Sequence, residues 1–377
     1  MALDDNLLRS ALYDKHVALE ARLGEEAGWL MPLSYHGALE EARTARSRAV
    51  VCDFSHAGRL RIRGAGALDL LCRAAVGDVV HQADDTAALT LLCNDGGGII
   101  DCCHLVRLED AWLVLTSPIN RLKVLAHLQG LAEALDVRID DQTEKTSQIC
   151  VAGPAAPAIL DAVLPEKVST LADGGVRVGS MLVAKYVAMR ISQTGLWSIN
   201  VILPNMVAAM AWRFITEKAG DNRVAPAGLA AADVLRVEAG LPRYGHEINE
   251  TIDPVTAGLG SIVRSGDDFL GAAAIGRIAA AGAARRRAGL VLSGPAADQA
   301  PAIPRLGAAV WRADGSEAGT VTSGTYSPTL DRPIALAYLP SDDAEIGTQL
   351  TVETSAGPAP AKVTALPFVQ QGLGTRD

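Results

Sequence analysis

The sequence predicts a mixed α+β chain that closes with a compact all-β module. Three observations carry this. Over the first 290 or so residues, apolar positions switch repeatedly between helical spacing and strict alternation, with no regular βαβ repeat. A small, basic, Ala-rich stretch over 273–288 then reads as a linker helix and a domain boundary. Beyond it, residues 289–377 read as short strands punctuated by Gly, Pro and Asp.

Taken in order, apolar residues at helical spacing over 2–23 (Leu7, Leu8, Ala11, Leu12, Ala18, Leu19) predict an amphipathic opening helix. A turn and extended segment, 28–35, leads to a helix over 37–48, with Glu40 and Glu41 near its positive end. Residues 50–53 read as a strand before the turn Phe54-Ser55-His56-Ala57-Gly58. The alternation Arg59-Leu60-Arg61-Ile62-Arg63 predicts a half-solvated strand. A helix near 66–75, strands at 89–93 and 112–115, and a helix over 119–135 follow. Strands recur around 147–153 and 182–190, and a helix spans 227–240, with Gly240 a natural stop.

The stretch Gly96-Gly97-Gly98-Ile99-Ile100-Asp101-Cys102-Cys103-His104 is the richest in chemistry. Glycines free the backbone so that a strand can start abruptly, and alternation then puts Asp101 with Cys103 on one face and Cys102 with His104 on the other. Cys102 and His104 sit about 7 Å apart along the strand. Such a pair suits an activated nucleophile or proton relay, and equally a packed β-layer; no further ligand cluster accompanies it to suggest a metal. His56 suits either acid/base work or a turn-fixing hydrogen bond. Tyr35 and Trp197 are the aromatic candidates for a cavity wall.

Composition excludes several classes. A chain of 377 residues, 49% hydrophobic and 20% charged, holds enough apolar surface for two or three cores. A net charge of −9 without a long basic run argues against nucleic acid; the run Arg285-Arg286-Arg287 reads as a solvated linker. No apolar run is long enough for a membrane span, and the acidic start is unlike a secretory signal, so a cytoplasmic protein is expected. All six cysteines lie at or before position 150, none in a C-x-x-C pair, consistent with reduced thiols.

Several stretches, in this order, resemble the glycine-cleavage T-protein (aminomethyltransferase) family and its tetrahydrofolate-dependent demethylases. They are Gly28-Trp29 with Met31-Pro32-Leu33 and Tyr35; Asp53 with Ser55-His56 and Gly58; Asn94 with Gly97-Gly98-Ile99-Ile100-Asp101; Gly153-Pro154; Pro226-Ala227-Gly228-Leu229; Leu235 to Gly240; Tyr244 to Glu247; Pro254 with Ala257-Gly258-Leu259-Gly260; Phe269-Leu270-Gly271; and Thr322 to Leu330. The resemblance implies a three-domain cloverleaf around a central channel, with two folate-binding-type α+β domains (1–55 with 135–240, and 56–134 with 241–285) and a small β-barrel (286–377). It also implies one-carbon transfer from a small substrate, or from a carrier protein in the conventional case, to N5 of tetrahydrofolate.

Against that preserved frame, the positions the resemblance marks as folate contacts are altered. The second of two adjacent carboxylates falls on Cys102, after a retained Asp101, and a pterin-clamping glutamate falls on Asn200. A tail-anchoring arginine falls on Ala232, a tyrosine on Leu89 and an asparagine on Ser117, while Arg190 is kept and Trp197 lies in the stretch where the family carries an acidic patch. A thiol or an amide cannot supply the fixed negative charge of a carboxylate. These changes point to an enlarged, neutral cavity. Catalytic work is expected of Asp101, Cys102, His104 and His56. Three readings follow: a one-carbon transferase diverged from glycine cleavage, a conventional aminomethyltransferase, or a folate-independent enzyme or binding protein using Cys102 and His104.

Overall fold

A computed structural model describes residues 6–181, 184–217, 224–266, 268–293 and 302–370. A six-stranded sheet runs in the order Val176–Met181, Ala184–Met189, Ser198–Pro204, Thr146–Ala152, Val50–Asp53, Ala225–Pro226; all its pairings are antiparallel save the last. Before the chain adds Thr146–Ala152 to this sheet, it leaves to build a second, wholly antiparallel sheet in the order Thr86–Cys93, Ile99–Leu108, Ala111–Thr116, Gly58–Arg63, Arg138–Asp141. The expected boundary at 135 therefore falls early: Arg138–Asp141 pairs with Gly58–Arg63 in the second sheet. Leu182 of the expected strand 182–190 lies outside the described residues.

One face of the first sheet packs under the helices Ala156–Val163 and Asn205–Glu217 through Val151, Ile149, Ile199, Val201 and Trp212. Its other face meets the helices Ala38–Ser47 and Leu229–Glu238 through Val50, Cys52, Cys150 and Ala152. The second sheet covers one face with the helices Ala67–Ala74 and Arg121–Leu131. The two sheets meet at an apolar seam of Ala87, Val106, Leu108, Leu113 and Leu115 against Val176, Met189, Ile191 and Ile202. Six strands between Arg285 and Thr364 close the expected barrel around Leu290, Val321, Ala337 and Val363. Among the described residues no helix is long and apolar enough to cross a membrane.

Two latches fix the barrel to the rest. Glu238, fully buried, takes the Arg46 guanidinium (Nε 2.6 Å) and the Ser327 hydroxyl (2.5 Å). Arg236 donates to Glu247 (2.8 Å) and to Ser323 Oγ (2.7 Å).

Three sequence expectations fail locally. The opening segment is not one helix: a strand Leu8–Arg9, a helix Tyr13–Ala18 and a strand Arg22–Glu26 replace it, residues 1–5 lying outside the described residues. Positive φ at both Ala27 and Gly28 makes a two-residue hairpin that pairs Glu26 with Trp29 and pulls the segment extended. Arg59 is not solvated but fully buried. The linker is also shorter than expected, because the helix Ala272–Ala281 is followed at once by a barrel strand from Arg285. Arg285 and Arg286 are exposed there, whereas Arg287 turns in to the carbonyls of Ala257 (3.0 Å) and Gly240 (2.6 Å).

Candidate functional site

The glycine turn is held by backbone contact. A Cβ on Gly98 would lie 1.8 Å from the Glu250 carbonyl oxygen, and the Ile99 amide donates to the carbonyls of Asn249 and Ile252 (both 3.0 Å). The strand Ile99–Leu108 that follows alternates. Asp101 and Cys103 are buried on the helix side, while Cys102 and His104 are half-buried on the opposite, inner face.

Asp101 accepts from the Ser117 amide (2.9 Å) and from Asn120 Nδ2 (3.0 Å), which fastens the turn entering the helix Arg121–Leu131. Burial raises its carboxyl above the ordinary value and outweighs those two bonds. Asp101 and Ser117 thus brace the sheet and do not join the inner face.

On the inner face, cross-strand register places Leu91 beside Cys102 and Leu89 beside His104. Leu91 and Cys102 lie under an apolar cluster from the loop 248–262. Leu115, beside His104 on its other side, and Val106 with Leu113 one register step further enter the seam between the sheets. Between those two clusters a window stays open, where Leu89 is 40% exposed. Neither group flanking it is ionised at neutral pH. Burial pushes the Cys102 thiol up to about 12 and the His104 imidazole down to about 4. Among the described residues neither side chain makes a hydrogen bond. The structure therefore shows no thiolate–imidazolium pair between Cys102 and His104.

The first sheet faces the same seam with amides. Asn200 donates to the Ile191 carbonyl (3.0 Å) and accepts from Gln148 Nε2 (2.9 Å); both side chains are fully buried. Ile202, the cross-strand partner of Gln148, belongs to the seam. Gln148 Oε1, Gln193 Oε1 and Thr194 Oγ1 are buried without a partner. Gln148 escaped the sequence reading, because a lone Gln in an apolar strand gives no signal until its strand partner is known.

A second polar assembly anchors the turn carrying His56. Asp53 accepts from Ser10 Oγ (2.6 Å), His16 Nε2 (2.9 Å) and the Ser55 amide (2.8 Å), and His16 Nδ1 pairs with the Tyr35 hydroxyl (2.8 Å). Burial alone would raise the Asp53 carboxyl, but bonds from His16, Ser10 and Ser55 hold it below its ordinary value. Burial and neighbouring anions raise the Tyr35 phenol, so it stays neutral. Arg59 donates to the carbonyls of Ala57 (2.5 Å), Ser55 (2.9 Å), Thr143 (2.6 Å) and Thr146 (2.9 Å) and to Thr146 Oγ1 (2.8 Å), and burial lowers it to about 10. His56 is 4% exposed beside Phe54, and its Nδ1 is unpartnered. Burial lowers it to about 4; the charge of Asp53 opposes this and those of Arg59 and Arg243 reinforce it.

The remaining expected contacts disperse. Arg190 donates to the Leu171 carbonyl (2.6 Å) and lies over Trp197 (5.7 Å), which packs against the helix-side cluster of the first sheet. Ala232 packs beside the helix Ala38–Ser47. Two clefts of about 430 Å³ lie elsewhere: one between the helix Leu229–Glu238 and the barrel (Asp233, Arg236, His246, Ser323), the other beside the glycine turn (Asn94, Asp95, Glu250, Asp253). Neither wide cleft is lined by Cys102, His104, Asn200 or His56, so the expected enlargement is not seen there. No group of three or more His, Cys, Asp and Glu positioned for a metal occurs among the described residues.

Tetrahydrofolate, the cofactor the resemblance implies, fits this site in part. A buried acceptor without a donor, Gln148 Oε1, suits the N–H edge of a reduced pterin. The place expected to anchor the carboxylate tail, Ala232, offers only a methyl group.

Residues 12–266 match the family model described as the GCVT N-terminal domain, and residues 285–370 match that of the glycine cleavage T-protein C-terminal barrel domain. The chain is 34% identical to an aminomethyltransferase of Saccharopolyspora erythraea, covering 96% of this chain and 98% of that one. It is 36% identical to an aminomethyltransferase of Thermus thermophilus, covering 96% and 99%. Its fold superposes on the glycine cleavage system aminomethyltransferase T of Bartonella henselae with a TM-score of 0.88 at 30% identity, covering 97% of this chain and 99% of that one. With both halves matched and relatives similar along almost the whole length, the chain belongs to the glycine cleavage T-protein family.

Proposed function

We propose that this chain is a one-carbon transferase of the aminomethyltransferase type, passing the unit from a nitrogen-bearing donor to tetrahydrofolate. What carries this reading is likeness to aminomethyltransferases over 96% of the chain. It favours the conventional reaction, with an aminomethyl-lipoyl carrier protein as donor, over a diverged one. Tetrahydrofolate, when bound, supplies the nucleophilic nitrogen. The protein's own contribution is placement. The window between the two apolar clusters gives a ligand an apolar seat against Leu89, and holding the reactants there can supply much of the acceleration. His104 and His56, both unprotonated at neutral pH, can each accept a proton or a hydrogen bond. Asp101 acts at one remove by fixing the strand on which Cys102 and His104 stand.

A specific observation favours a second reading, in which the donor is a small methylated compound. Cys102 is a neutral thiol where the resemblance places a carboxylate to orient the reacting nitrogen. One experiment separates the two. Ammonia release from the loaded lipoyl carrier, dependent on tetrahydrofolate, would establish the conventional reaction. No release, together with 5-methyltetrahydrofolate formed from methylated amines, ethers or sulfonium compounds, would establish the other. If neither product forms and calorimetry at millimolar ligand finds no tetrahydrofolate binding, the folate-independent role remains.

A further inference from the structure

The amide pair facing the seam has only one consistent orientation. The Ile191 carbonyl can only accept, so Asn200 must present its NH₂ there and turn its oxygen toward Gln148. Gln148 must then offer its own NH₂ to Asn200, and its Oε1 is left without a donor inside a fully buried side chain. Buried side-chain oxygens are normally satisfied, and an unpaired one destabilises the fold. The strand carrying it is not loose: the Gln148 amide donates to Ser55 Oγ (3.0 Å), and its carbonyl accepts from Phe54 (2.9 Å). The vacancy is therefore held in place, a neutral acceptor on the sheet face that borders the seam.

We propose that Gln148 Oε1 is a specificity-determining acceptor that reads a single N–H of an uncharged amino-heterocycle, with Asn200 as the positioning residue that fixes its orientation. The heterocycle's identity as the pterin of tetrahydrofolate rests on the proposed function. A carboxylate here could accept from two adjacent donors at once, whereas this amide, with its NH₂ committed to Asn200, accepts from one side only. The site should consequently reward one exocyclic amino group and gain nothing from a cationic ring.

The test is calorimetric binding of tetrahydrofolate and of an analogue with a methyl group in place of the 2-amino group, to the full chain and to Gln148→Met. The expected result is that wild type prefers the amino form by at least tenfold and that Gln148→Met abolishes the preference while leaving analogue affinity within twofold. Equal affinity of wild type for the two compounds overturns the inference, a reading that needs no variant and survives any folding defect of Gln148→Met. Unchanged preference in a folded Gln148→Met overturns it as well. Both results leave the proposed function standing, whereas failure of wild type to bind either compound ends both.

Discussion

Two polar regions, far apart in sequence and joined where the Gln148 amide donates to Ser55 Oγ, end in opposite states. Around Asp53 and Arg59 the bonding is filled: three donors meet the carboxylate, and the guanidinium reaches four carbonyls and a hydroxyl. Around the seam it is left open. Gln148 Oε1 has no partner, and the Cys102 and His104 side chains make no hydrogen bond among the described residues. A fold that completes its own bonding in one place and not in another separates scaffold from reception. Unsatisfied buried groups persist only where they are held rigidly, and functional sites are where such strain collects.

The sharpest way to break this contrast is at Arg59. Replacing it by Met strands four carbonyls, so Arg59→Met should lower unfolding free energy by about 3–5 kcal/mol, while Arg63→Met, exposed on the same strand, should stay within about 0.5 kcal/mol. Urea unfolding reads both, and similar losses in the two would erase the scaffold side. On the receptive side, alkylation of Cys102 at pH 7.5 should be on the order of 10³-fold slower than that of a free thiol, given a thiol pushed up to about 12. Rapid labelling mapped to Cys102 by mass spectrometry would revive the nucleophile.

A third measurement uses acid. His56 is held to about 4 when folded, against an ordinary value of 6.5. Between those values the unfolded chain binds the proton and the native chain does not, so stability is full above 6.5 and falls as pH drops toward 4. The loss amounts to up to about 3 kcal/mol. His56→Gln should make that slope shallower without removing it, because burial holds His104 to about 4 over the same range; an unchanged slope would mean that His56 does not set it. The smallest effect is expected at Leu89. Exposed as it is, Leu89→Tyr should move stability by less than about 0.5 kcal/mol, yet it should alter ligand affinity if the window is the seat. A change in melting temperature with no change in binding would remove Leu89 from the site.

Much of the fold was legible in the sequence because its signals are local. Periodicity marked the helix Ala38–Ser47 and the alternation of Ile99–Leu108, and turn residues marked the barrel. What could not be read depends on distant partners. Arg59 looks solvated by alternation and is buried because the loop 143–146, more than eighty residues on, brings it carbonyls. Arg287 sits in a run of three identical residues, and only the barrel's pairing shows which of them turns inward. The opening helix was lost to a hairpin with Ala in a left-handed position, a residue that carries no turn signal. At the site, Cys102, His104, Leu89 and Asn200 reached the inner sheet faces through strand alternation, whereas Arg190 and Trp197 did not, since they paired with each other.

The Glu238 latch bears on how this molecule breathes. A buried anion shared by the helix Ala38–Ser47 and the barrel residue Ser327, on a helix whose end also takes the Val369 amide, cannot be parted piecemeal without exposing an unpaired charge. In hydrogen exchange those three segments should therefore open as one cooperative unit, at nearly one free energy. A ligand must then enter by the window at Leu89, which is open without any movement of the barrel.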